Sequence, residues 1–209
     1  MNIEKRVIFD ADGTIFDSMG GIFGAVCSVF ESEGVKSPDL EEYVLNFRFP
    51  FVGYYHGHGV NIPEEEILRR YLRAYQEVNG EYNPPFFSDA LSAIHWLHSI
   101  KHKANVVTAN STDNVLRVLS SVNLVHLIEC VSASDKVEAI REHVNKSVLG
   151  PKTPYVGDII ADMEDARNAG AYPVAVLRNG MMKFANKFHQ AGAKLCLSSL
   201  EYLSKAVTC

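Results

Sequence analysis

The sequence has no block of basic residues, no C-x-x-C pair and no apolar stretch approaching a membrane span. Each absence removes a class of function. Lys and Arg number 20 against 25 Asp and Glu, for a net charge of −5, and they are scattered. The basic footprint of a nucleic-acid binder is therefore missing. A local positive pocket for a small anion remains compatible with an acidic chain. The four cysteines, Cys27, Cys130, Cys196 and Cys209, match neither zinc-ligand spacing nor a small disulfide framework. They read as reduced thiols packed as small hydrophobes. The run Val7-Ile8-Phe9 is too short for a signal peptide, and no small-residue cleavage pattern follows it. No stretch reaches the roughly 20 residues of a spanning helix. The expected setting is cytoplasmic, with neither nucleic acid nor a membrane as partner.

What is present is ordinary globular material. The chain has 209 residues, 47% hydrophobic and 22% charged. That suits one sizeable core carrying an insertion, with no need of disulfide or metal staples. Repeats and low-complexity tracts are absent. Val7 to Phe9 reads as a buried strand ending at Asp10. A helical pattern runs from about Ser18 to Gly34. Residues from Pro38 to Tyr82 hold helical stretches, such as Glu64 to Val78, but no buried strand run. Within them, Phe49 to Gly59 is rich in Gly, aromatics and His and reads as a loop. Asn83-Pro84-Pro85 looks like a linker. Strands near Ala104–Val107, Leu127–Val131, Pro154–Val156, Val174–Leu177 and Leu195–Leu197 then alternate with helices near 90–99, 113–121, 136–144 and 163–169. A short helix from Leu200 follows. Such alternation predicts an α/β fold, a Rossmann-like parallel sheet with both faces covered. Ligands in these folds bind beyond the carboxyl ends of the strands.

Three strand ends deliver polar residues: Asp10-Ala11-Asp12-Gly13-Thr14, Thr108-Ala109-Asn110-Ser111, and Gly157-Asp158-x-x-x-Asp162. A helical lysine, Lys136, precedes the third. Carboxylates crowded past a hydrophobic strand repel one another unless something compensates. Mg²⁺ does so, because it takes oxygen ligands and shares a substrate phosphate. Asp10 is then placed to act as a carboxylate nucleophile on phosphorus. Asp12 would protonate the leaving oxygen and later activate water, help worth roughly 10²–10⁴-fold. Thr108 and Lys136 would hold phosphoryl oxygens. Gly13 allows a tight turn and close backbone approach. Thr108, Ser111 and Asp113 are each also suited to cap the following helix.

The set Asp10-x-Asp12-Gly13-Thr14, Thr108, Lys136 and Gly157-Asp158-x-x-x-Asp162 resembles the haloacid dehalogenase (HAD) superfamily, with its motifs in order. The resemblance covers residues 1–16 and 86–209. It implies Asp10 as nucleophile, Asp12 as acid/base, and Thr108 and Lys136 on phosphate, with Gly13, Ala109 and Asn110 as neighbours of that phosphate. It implies Mg²⁺ held by Asp10, Asp12, Asp158 and Asp162. Dehalogenases and phosphonatases resembling this fold lack an acid two residues past the nucleophile, and P-type ATPases carry Thr there. Asp12 therefore points to a phosphatase or a phosphomutase. Lys136 is followed by Val137 where many members have Pro. The stretch 17–85 resembles the helical cap of the phosphoglycolate phosphatase and β-phosphoglucomutase-like branch. The expected function is Mg²⁺-dependent hydrolysis of a small phosphorylated metabolite through an aspartyl-phosphate. The alternatives are a sugar phosphomutase and a non-catalytic binding protein on the same fold.

In the cap, Arg48 has a planar fork suited to a substrate carboxylate or second phosphate, and equally suited to a solvated surface. His56 and His58 lack an identifiable third ligand for zinc; their placement suggests a substrate-facing loop instead.

Overall fold

The computed structural model describes residues 4–207; Cys209 lies outside the described residues. In chain order the elements are β1 (Lys5–Phe9), α1 (Met19–Ser32), α2 (Leu40–Asn46), α3 (Val52–Gly57), α4 (Glu64–Asn79), α5 (Ser88–Ser99), β2 (His102–Thr108), α6 (Thr112–Ser121), β3 (Ile128–Ser132), α7 (Lys136–Lys146), β4 (Pro154–Gly157), α8 (Ile160–Asn168), β5 (Tyr172–Val176), α9 (Ala185–Ala191), β6 (Leu195–Leu197) and α10 (Ser204–Val207). The chain divides into two compact units. One contains the residues up to Asp17 and those from Asn83 onward; the other is Ser18–Tyr82.

The first unit is a six-stranded sheet in the order β3-β2-β1-β4-β5-β6, parallel throughout. Its inner strands β1, β2, β4 and β5 are buried over most of their lengths, so they read in sequence as apolar runs. Val7, Ile8 and Phe9 are fully buried. Ile8, Val107 and Tyr155 from the sheet pack with Ile140 and Val144 of α7 and Ala166 of α8. The strand order reverses beside β1, which lies between β2 and β4. This is the crevice where α/β sheets bind ligands. Cys27, Cys130 and Cys196 are free and half-buried.

The second unit is helical, with α1 packed against α4. The Gly-rich segment expected as a loop contains α3 instead. Tertiary packing overrides its weak helix propensity. Tyr54 and Tyr55 are buried. The Tyr55 ring stacks on Phe30 at 5.2 Å, and Tyr54 meets Tyr43 and Phe47 at 5.8 and 5.4 Å. His58 belongs to this packing. Its ring lies 4.6 Å from that of Tyr54, and its nitrogens meet the Tyr54 carbonyl at 2.8 Å and Glu42 at 3.0 Å. His56 meets the Ile62 carbonyl at 3.0 Å. The Arg48 guanidinium donates to the carbonyls of Leu45 and Phe47 at 3.1 and 2.8 Å.

Candidate active site

Asp10 is the first residue past β1, and its N–H donates to the Val156 carbonyl of β4 at 2.8 Å. The chain then turns sharply. The N–H groups of Ile15 and Phe16 both donate to the Ala11 carbonyl at 3.0 Å. Gly13 sits in the turn at φ +76°, and a Cβ there would lie 2.1 Å from Asp158 Oδ2. Glycine is required on both counts. The fully buried Thr14 donates its hydroxyl to Asp158 Oδ1 at 3.1 Å.

Asp158 follows β4, and Asp162 lies in the first turn of α8. Asp162 is buried and saturated with donors. Its Oδ1 accepts from Lys136 Nζ at 2.8 Å and the Tyr155 hydroxyl at 3.2 Å. Its Oδ2 accepts from the N–H groups of Asp158 and Ile159 at 3.1 and 3.2 Å. Lys136 is the first residue of α7, whose cap Asp135 accepts from the Glu138 N–H at 3.0 Å. Its ammonium also donates to Asp10 Oδ1 at 2.8 Å and lies 5.7 Å from the centre of the Tyr155 ring.

The carboxylates of Asp10, Asp158 and Asp162 converge, with one oxygen of each within 4.8 Å of the others. With all three carboxylates ionised, the one Lys136 ammonium leaves two negative charges in excess. The electrostatics reflect this. Burial first, then the neighbouring acids, push Asp10 up to about 7 even against the pull of Lys136. Burial, with Asp162 and Asp10, also raises Asp158. Burial works to discharge Lys136, yet Asp10 and Asp162 hold its pKa well above the usual lysine value. Among the described residues, Oδ2 of Asp10 and Oδ2 of Asp158 accept no hydrogen bond. Two unclaimed carboxylate oxygens beside two uncompensated charges fit a divalent, oxygen-seeking cation such as Mg²⁺.

Asp12 stands apart from the converging trio. Its Oδ2 accepts from the Asn110 side-chain amide at 3.1 Å. Thr108, buried at the end of β2, accepts the Asn110 N–H on its hydroxyl oxygen at 3.0 Å, which leaves its O–H to donate elsewhere. Ala109 is exposed beside it. Ser111 caps α6, accepting the Asn114 N–H at 3.3 Å. Thus Asp10, Lys136, Asp158 and Asp162 meet in one cluster, and Asn110 links Asp12 to the end of β2. Thr14, part of the first sequence motif but given no role of its own there, joins this network, as does Tyr155, which was not singled out from the sequence. The signal for Tyr155 was faint: a polar-tipped residue inside an apolar strand, two positions before Gly157.

Known proteins resemble this chain in sequence profile and in fold. The family profile for haloacid dehalogenase-like hydrolases matches residues 7–176. A search of curated proteins by sequence finds no match. Among solved structures, a β-phosphoglucomutase candidate from Bacteroides vulgatus superposes with a TM-score of 0.76 at 21% identity, over 99% of this chain and 89% of that one. A phosphatase candidate from Clostridium acetobutylicum gives a TM-score of 0.74 at 20% identity, over 99% of both chains. A HAD family hydrolase from Deinococcus radiodurans R1, solved with bound phosphate and sodium, gives 0.67 at 19% identity, over 99% of this chain and 95% of that one. With a profile match spanning most of its length, the chain belongs to the haloacid dehalogenase-like hydrolase family.

Proposed function

We propose that the protein is a Mg²⁺-dependent hydrolase of small phosphate monoesters, working through an aspartyl-phosphate on Asp10. The observation that carries this reading is the convergence of Asp10, Asp158 and Asp162 around Lys136, with two negative charges in excess. Asp10 and Asp158 would hold the cation through their unclaimed oxygens, and Asp162 would support them from its network of donors. When bound, Mg²⁺ supplies screening between the anionic nucleophile and an anionic phosphate.

The chain's own residues then divide the work. The Asp10 carboxylate attacks phosphorus in line; its O–P bond forms as the ester O–P bond breaks. Asp12 gives its proton to the departing alkoxide. In the second step Asp12 takes a proton from water, the water oxygen attacks phosphorus, and the Asp10–phosphoryl bond breaks to release inorganic phosphate. Asn110 keeps Asp12 oriented. The Thr108 hydroxyl and Lys136 ammonium stabilise the transferring phosphoryl oxygens. The phosphate bound by the Deinococcus relative supports a phosphate pocket in this fold.

A sugar phosphomutase would use the same Asp10 and Asp12, and the similarity to the Bacteroides chain favours it as the second reading. One experiment separates them. Inorganic phosphate release is measured from p-nitrophenyl phosphate and a panel of phosphorylated metabolites, with Mg²⁺, with EDTA and with Asp10→Asn. Hydrolysis that EDTA abolishes, and that Asp10→Asn lowers on the order of 10³-fold or more, is the expected result. Undiminished activity in Asp10→Asn would overturn the mechanism. Phosphate kept on the sugar through turnover would identify the mutase.

A further inference from the structure

We infer that Arg178, just past β5, is a positioning residue for the cation-binding carboxylate Asp158 and acts on it through Thr14; the inference rests on the Mg²⁺ site proposed above. The Arg178 guanidinium is largely buried. It grips Asp89 with a two-pronged fork, NH1 to Oδ2 at 2.8 Å and NH2 to Oδ1 at 2.9 Å. NH2 also donates to the Thr14 carbonyl at 3.0 Å. The Phe87 ring lies 3.7 Å beneath the guanidinium carbon. Asp89 is itself fixed from the other side, accepting from the Ser199 hydroxyl at 2.8 Å and the Leu200 N–H at 2.9 Å. Burial would raise Asp89, but Arg178, Leu200 and Ser199 together hold it below the usual carboxylate range. The fork is therefore anchored by charge, by stacking and by two further donors.

Thr14 transmits this anchoring. Its carbonyl is held by Arg178, and its hydroxyl donates to Asp158 Oδ1. Fixing one oxygen of Asp158 restricts the rotation of a carboxylate that belongs to the converging three. The segment just after Thr14 is held as well. The Asp17 N–H donates to the Pro85 carbonyl at 2.8 Å, the Phe87 N–H to the Ile15 carbonyl at 3.0 Å, and Phe16 meets Phe86 edge to face at 5.2 Å. Groups that orient a metal-binding carboxylate commonly change metal affinity by about 10–100-fold when removed. Lysine cannot replace the fork, because its single ammonium lacks the planar pair of donors that spans Asp89 and Thr14 together.

The test is a double-mutant cycle on the Mg²⁺ dissociation constant of the full chain, read by calorimetry, with thermal melts to follow folding. Arg178→Ala and Thr14→Val are each expected to weaken Mg²⁺ about tenfold. The double variant should bind no more weakly than Thr14→Val alone, because both changes cut one chain of contacts. Arg178→Lys should fall between wild type and Arg178→Ala. Wild-type affinity in Arg178→Ala, or losses that add in the double variant, would overturn the inference and leave the proposed function standing. If Arg178→Ala does not fold, Arg178→Lys with Thr14→Val closes the same cycle. A wild-type chain that binds no Mg²⁺ would overturn the proposed site and the inference together.

Discussion

At the scale of single residues, the site depends on positions where no side chain fits. A Cβ on Gly157 would stand 2.4 Å from Asp162 Cβ, Cγ and Oδ2. Asp162 cannot yield, because four donors converge on its carboxylate. Gly157→Ala should therefore cost about 1–3 kcal/mol of stability through overpacking and displace the partner of Lys136. A lowered denaturation midpoint together with weakened Mg²⁺ binding is the expected outcome; an unchanged midpoint would show that the backbone absorbs the methyl group. Asp10, Asp12 and Asp158 were legible in the sequence because carboxylates just past apolar runs are conspicuous, and Lys136 and Asp162 because their spacing fits the motifs of the family the chain resembles. The constraints on Gly157, Tyr155, Thr14 and Arg178 were not. Each depends on which partner lies across a strand or turn, and one-dimensional spacing does not encode that.

At the scale of elements, the placement of Lys136 depends on the start of α7. Asp135 accepts the Glu138 N–H and fixes the first turn, and Lys136 is the first residue of that turn. Asp135→Ala should cost about 1 kcal/mol through the lost cap. Turnover should fall with it, because the fraying turn carries the ammonium shared by Asp10 and Asp162. Urea denaturation and kcat on the best substrate check this; a stability loss with unchanged kcat would mean that Lys136 is held by its ion pairs alone. Strands were legible as apolar runs because a parallel sheet buries both faces. The helices α2, α3 and α9 were not. Each is 6–7 residues long, too short for a clear 3.6-residue period. Tyr54 and Tyr55 sit side by side, so α3 shows aromatic clustering where periodicity would be expected.

At the scale of the whole molecule, the Ser18–Tyr82 unit interrupts the sheet-bearing unit at two points that lie side by side. Asp17 and Pro85 are joined by a 2.8 Å hydrogen bond, and Phe16 bridges Phe86 in antiparallel fashion. Insertions are tolerated where chain ends already meet. Replacing 18–82 by a short Gly/Ser linker should leave a sheet-bearing unit that unfolds cooperatively and binds Mg²⁺ with near wild-type affinity. Circular dichroism melts and calorimetry check this; a molten product would mean that the helices of 18–82 are needed to complete that unit's core. The strand order has a consequence for the chain as it is being made. β1 is synthesised first but ends in the middle of the sheet, between strands that come about 100 and 150 residues later. Asp10 waits 126 residues for its ammonium partner and longer still for Asp158. At translation rates of about 5–20 residues per second, Asp10, the proposed nucleophile, would be made several seconds before Lys136, its ammonium partner. On the function proposed above, a chain released before Asp158 and Asp162 are made would be inactive, because it lacks two of the three converging carboxylates.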